Sequence, residues 1–83
     1  MLSIDEVKND VFKIMSELLE KDVEEIKLQG GCDLIEDYDF DSILIIKFLS
    51  ELENHYSMKI SAEDMMECIS DINVLFDLIL RKK

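Results

Sequence analysis

The residues best placed to do chemistry are Asp41-Ser42-Ile43, where an acidic segment from Asp33 to Asp41 hands over to the only long, strongly apolar helical stretch. A serine at such a junction presents a hydroxyl at a helix N-terminus. Free backbone N–H groups and the positive end of the helix dipole suit a phosphate attached there. The same position also suits a helix cap or a plain surface residue, and the rest of the chain must decide between them.

Other chemistries find less support. The one histidine, His55, falls about four helical turns beyond Ser42 at roughly 1.5 Å per residue, so it cannot activate that hydroxyl as a base. It is expected to be a solvated residue near a helix end. Cys32 and Cys68 are far apart and form no CxxC pair, so neither a zinc site nor a redox couple is indicated, and reduced thiols are expected. Asp37, Asp39 and Asp41 alternate like the first ligands of a calcium-binding loop. However, Ser42 stands where that loop needs glycine and Phe48 where it needs a bidentate glutamate. The acids read as a solvated face, with no metal site beyond weak, nonspecific divalent-ion binding.

These residues sit in a chain of 83 residues with a formal charge of −11. That length makes one small domain, residues 1–83, burying only roughly 60–65% of the surface its unfolded chain exposes and leaving no room for a deep catalytic cleft. The negative charge argues against nucleic acid and for partners with basic patches. No basic-then-apolar leader and no apolar run approaching roughly 18 residues is present, so a protein that stays in the cytoplasm and does not enter the membrane is expected.

The patterning is helical. Ser3-Ile4-Asp5-Glu6 is a capping box, and Val7, Val11, Ile14 and Leu18 follow at helical spacing, which predicts a helix from about Ile4 to Leu19. A second box, Asp22-Val23-Glu24-Glu25, is expected to start at most one short turn before Gly30 and Gly31 break the chain. A long loop then runs to Asp41. Ser61-Ala62-Glu63-Asp64 caps a short helix bearing Met65, Met66 and Ile69. Asp71 opens a last one with Ile72, Leu75, Phe76, Ile79 and Leu80 on one face and Arg81, Lys82 and Lys83 at its cation-favouring end. The five methionines and Phe12, Phe40 and Phe76 are expected in the core or as gap fillers. The fold class is all-α: a small bundle of three main helices plus one short helix, with a long first loop.

At about 100° per residue, Ile45, Phe48, Leu49, Leu52 and Tyr56 fall in one stripe and make the core face of the helix after Ser42. Ile43 and Ile46 lie off that stripe among Lys47, Ser50 and Asn54, and Leu44 sits on its other flank. Three apolar side chains beside a modifiable hydroxyl are thus expected to be at least partly exposed. They form either a docking patch or a surface covered by the long loop.

Taken together, the acidity, the helix order, Leu34-Ile35-Glu36-Asp37-Tyr38-Asp39-Phe40-Asp41-Ser42-Ile43, the helix ending Leu52-Glu53-Asn54-His55-Tyr56 and the apolar last helix resemble the acyl carrier and peptidyl carrier proteins over nearly the whole chain. The resemblance implies an acyl-carrier-like bundle that is not an enzyme. It also implies a 4′-phosphopantetheine arm from coenzyme A on Ser42, with Asp41 as the preceding motif residue. Cargo would ride on the arm as a thioester. Partners would be a phosphopantetheinyl transferase and acyl- or aminoacyl-loading and condensing enzymes, met by a monomer through small, transient interfaces presenting Ile43, Leu44, Ile46 and Lys47.

Fatty-acid carriers usually have glycine where this chain has Asp39, and acids where it has Leu44 and Lys47. A less basic, more apolar partner surface would suit those two residues, because electrostatic complementarity selects among partners. A specialised pathway of the peptide or polyketide type fits this pattern better than fatty-acid synthesis, which stays as the alternative. An unmodified acidic helical adaptor is a more distant one.

Overall fold

Capping marks several of the helix ends. The computed structural model describes residues 2–82 and contains α1 (Ile4–Leu19), α2 (Val23–Gln29), α3 (Ser42–Tyr56), α4 (Ala62–Ser70) and α5 (Ile72–Lys82). Ser3 Oγ accepts the Glu6 N–H at 3.2 Å, and Ser61 Oγ accepts the Asp64 N–H at 3.1 Å. The Glu6 carboxylate accepts the Ser3 hydroxyl instead of reaching the backbone N–H of the full capping box. α1 and α3 end at Glu20 and Ser57, both left-handed at φ 55° and 50°, without a glycine. In each case two successive N–H groups fold back on one carbonyl, Ser16 O in α1 and Glu53 O in α3.

The all-α bundle expected from the sequence is what the chain forms, with one more helix. Asp22 to Gln29 was expected to give at most one short turn, yet α2 has seven residues. Asp22 sits at its N-cap but makes no side-chain cap bond, so local capping does not build α2. Burial does: Ile26 is fully enclosed and α2 packs on α1, whereas a seven-residue helix alone in water would not persist. α1 also packs on α3 and α5, and α4 packs on α5.

The core joins Val7, Val11 and Met15 of α1 to Phe48 and Leu52 of α3 and Leu75, Phe76 and Ile79 of α5. Phe12 lies half-buried against it, with its ring 6.0 Å from Phe76 and 6.4 Å from Tyr38. Met15 and Met58 are buried and Met65 is half-buried. Met66 is exposed, contrary to the expectation that the methionines fill the interior, and Met1 lies outside the described residues.

The long loop is part of the core. Leu34, Tyr38 and Phe40 are buried, and burying Leu34 and Phe40 is worth about 1.5–3 kcal/mol each. Phe40 meets Phe48 edge-on at 5.2 Å, which fixes the end of the loop against α3. The loop is also stitched to the α4–α5 junction, where Leu34 N–H donates to Ile69 O at 2.9 Å and Ile72 N–H donates to Cys32 O at 2.8 Å. The backbone entering α3 is therefore held from both sides.

Candidate functional site

The acids between Asp33 and Asp41 look unpaired in the sequence, but most have structural work. Asp33 Oδ1 accepts the N–H groups of Ile35 and Glu36, closing a turn. Asp37 Oδ2 accepts those of Cys32 and Asp33 at 3.0 and 2.9 Å. Those backbone bonds, Asp33's foremost, hold the Asp37 carboxyl below its usual range. Asp39 lies 3.5 Å from the Lys21 ammonium. These side chains go to separate partners, and among the described residues no group of three ligating side chains converges on a metal position.

Asp41 and Ser42 divide the helix start between them. Asp41 is the N-cap, and its Oδ1 accepts the Leu44 N–H at 2.8 Å. Ser42 is the first helical residue and is exposed. Its hydroxyl is therefore not consumed by capping. Asp41 takes the Leu44 N–H, but the Ser42 and Ile43 N–H groups have no intrahelical acceptor and lie, with the positive end of the dipole, where an anion attached to Ser42 would be. An exposed hydroxyl in such a place fits a phosphodiester.

The core stripe of α3 is as expected, with Ile45, Phe48, Leu49, Leu52 and Tyr56 all buried. Ile43 and Ile46 stand 65% and 63% exposed, and Lys47 is exposed with them. The long loop does not cover them. Leu44 is half-buried and packs against the core, so it belongs partly to the scaffold.

A family model described as phosphopantetheine attachment site matches residues 9–79. The chain belongs to that family. The group such a domain carries is 4′-phosphopantetheine, covalently attached, and its chemistry when bound is that of a thiol able to hold cargo as a thioester. Carrier domains of this family act with a phosphopantetheinyl transferase and with biosynthetic enzymes. No helix among the described residues is long and apolar enough to cross a membrane. A comparison with curated proteins found no match.

The geometry also explains one departure from the fatty-acid carriers. Asp39 has φ 63°, in the left-handed region that glycine enters freely and aspartate tolerates better than most residues. An aspartate here thus meets the same backbone requirement that a glycine would. The differences at Leu44 and Lys47 have no such backbone cause.

Sequence reasoning placed His55 in solvent near the end of α3. It is exposed there, but Nε2 lies 3.4 Å from Asp10 Oδ2 of α1 and the ring meets Tyr56 edge-on. From Ser42 it is thirteen residues along α3, roughly 20 Å at the helical rise, so the two do not form a catalytic pair. Four exposed apolar residues were not foreseen as surface: Ile4 on α1, Leu28 on α2, 85% exposed, Ile35 in the long loop and Met66 on α4. The polar neighbours Lys27 and Gln29 were the only sequence signal that Leu28 faces outward.

Proposed function

We propose that residues 1–83 form one carrier domain whose Ser42 bears the 4′-phosphopantetheine arm. The observation that carries this reading is the division of labour at the start of α3: Asp41 supplies the cap, which leaves an exposed Ser42 hydroxyl in the first turn of a helix within a phosphopantetheine-attachment domain. A phosphopantetheinyl transferase attaches the arm from coenzyme A, and loading and condensing enzymes place acyl, aminoacyl or peptidyl cargo on its thiol. The protein is a shuttle and performs no bond chemistry of its own.

It works as a cytoplasmic monomer, engaging each enzyme through Ile43, Ile46 and Lys47 with the exposed edge of Leu44. Modest affinity lets it leave one partner for the next. Leu44 and Lys47 stand where fatty-acid carriers place acids, which favours a specialised peptide or polyketide pathway over fatty-acid synthesis. Incubation with coenzyme A, magnesium and a broad-specificity phosphopantetheinyl transferase, followed by intact mass measurement, tests the carrier reading. A carrier gains one phosphopantetheine, and an unmodified adaptor gains none.

A further inference from the structure

The chain between α2 and α3 is gathered around one exposed carboxylate. Asp37 Oδ2 accepts the N–H groups of Cys32 and Asp33 at 3.0 and 2.9 Å, which draws residues 32–34 back against residue 37. Gly31 leaves room for this, because a Cβ there would stand 2.5 Å from the Asp37 carboxyl carbon. The same short stretch is also bonded outward. Cys32 O accepts the Ile72 N–H at 2.8 Å, and the Leu34 N–H donates to Ile69 O at 2.9 Å. Leu34 O in turn accepts the Phe40 N–H at 3.0 Å, and the buried Phe40 ring meets Phe48 of α3. Asp41 and Ser42 follow directly.

We infer that Asp37 is a positioning residue for the modification of Ser42, acting through residues 32–34 and Phe40 on the direction in which the chain enters α3. The inference rests on the reading that Ser42 takes the arm. Asp37 Oδ2 is committed to two backbone N–H groups, so its part is to hold the loop and not to move a proton. The Phe40 ring fixes the entering chain at one point, and the turn that Asp37 closes fixes it at a second through Leu34 O. Ser42 is thereby presented in one orientation beside the exposed Ile43 and Ile46. A loop already held in the reactive form spares the partner the cost of ordering it. Where only a fraction of molecules hold that form, apparent affinity falls by that fraction. Loss of the carboxylate should therefore raise KM and leave kcat nearly unchanged, because the bound complex still contains the ordered loop.

Initial rates of arm transfer, measured over a range of carrier concentrations with coenzyme A, magnesium and a broad-specificity phosphopantetheinyl transferase, test this. Wild type is compared with Asp37→Ala, Asp37→Asn and Ile79→Val, well below the melting midpoint of every variant. Asp37 is exposed, so water can reach the N–H groups it leaves and both of its variants should fold. Ile79→Val trims the core in the second half of α5 and reports the effect of lower stability alone. The expected result is a KM raised roughly 3- to 10-fold in Asp37→Ala, with kcat within about twofold of wild type. Asp37→Asn, whose amide oxygen still accepts an N–H without the charge, should fall between the two. Ile79→Val should keep the wild-type KM. With Ser42 modified in wild type, an unchanged KM in Asp37→Ala would overturn the inference, as would an equal rise in Ile79→Val. No arm on the wild-type chain would instead overturn the carrier reading, and this inference with it.

Discussion

Asp41 Oδ1 accepts the Leu44 N–H at 2.8 Å, which makes Asp41 the cap of α3 and leaves the neighbouring Ser42 hydroxyl to other uses. Two adjacent residues that could each have capped the helix thus have separate tasks. Asp41→Ala should lower stability by about 0.5–2 kcal/mol, whereas Ser42→Ala should stay within about 0.5 kcal/mol of wild type. Urea denaturation of both variants checks this. A larger loss from Ser42→Ala than from Asp41→Ala would mean that the cap has been assigned to the wrong residue.

The left-handed Asp39 gives a second expectation. Asp39→Gly removes an exposed ion pair with Lys21 but suits φ 63°, so stability should change by less than about 1 kcal/mol. A β-branched residue does not suit that backbone, and Asp39→Val should cost about 1–2 kcal/mol. The order of the two variants in a denaturant titration is the measurement, and equal losses would contradict it.

Gly31 and Asp37 are fitted to each other. At φ 86°, a Cβ on Gly31 would lie 2.5 Å from Asp37 Cγ and Oδ2, within the carboxylate that organises the loop. Gly31→Ala should therefore destabilise the chain by more than about 1 kcal/mol. Gly30, with open space around its Cβ, should tolerate alanine better despite its own φ of 67°.

Acid should act on the loop in two directions. Lowering the pH toward 5 relieves repulsion in a chain of charge −11, as does magnesium at low salt, and both should raise the melting midpoint. Asp37, whose folded pKa is depressed, contributes stability that is complete above its unfolded value and is lost as pH falls through the folded one. The loop should loosen below about pH 4, and Asp37→Asn should lack that final decline. Midpoints recorded from pH 3 to 7 check both parts, and a decline that persists unchanged in Asp37→Asn would assign it elsewhere.

The cysteines should differ in reactivity. Burial, reinforced by Asp64 and Glu67, pushes the Cys68 thiol up to about 11, while partial desolvation followed by Asp71, Asp37 and Asp33 raises that of exposed Cys32. At pH 8 iodoacetamide should modify Cys32 slowly and Cys68 only on unfolding. Peptide mapping after native and denatured labelling distinguishes them, and rapid native labelling of Cys68 would contradict its burial.

Partner choice is proposed to reside at Leu44 and Lys47. Leu44→Asp with Lys47→Glu should impair loading by the chain's own pathway and improve reaction with fatty-acid synthase enzymes, with the charge change showing as salt-dependent association rates. Because Leu44 packs against the core, Lys47→Glu alone is the control for any loss of stability. Unchanged loading of the double variant by its own enzyme would remove these positions from partner selection.

Much of this molecule is legible in its sequence where one local signal suffices. Ser3 and Ser61 mark the starts of α1 and α4, and five apolar residues at helical spacing mark the buried face of α3. The start of α2 was legible at Asp22 but its length was not, because its bounding Asp22 makes no cap bond and its one buried residue, Ile26, gains its reason only from packing on α1. The acids of the loop were legible as charge and not as structure. Their partners are backbone N–H groups whose directions exist only after Leu34, Tyr38 and Phe40 have anchored the segment. The Asp10–Tyr56 bond spans 46 residues, a separation that no sequence pattern reports.

The central claim is that Ser42 carries the arm, and fragment mapping of the transferase product by tandem mass spectrometry tests it most directly. The wild-type chain, after reaction with coenzyme A and a phosphopantetheinyl transferase, should carry a single phosphopantetheine on the peptide containing Asp41-Ser42-Ile43, localised to Ser42. Ser42→Ala, still folded because Asp41 keeps its cap, should carry none. An adduct on another serine, or an adduct that persists in Ser42→Ala, would contradict the assignment.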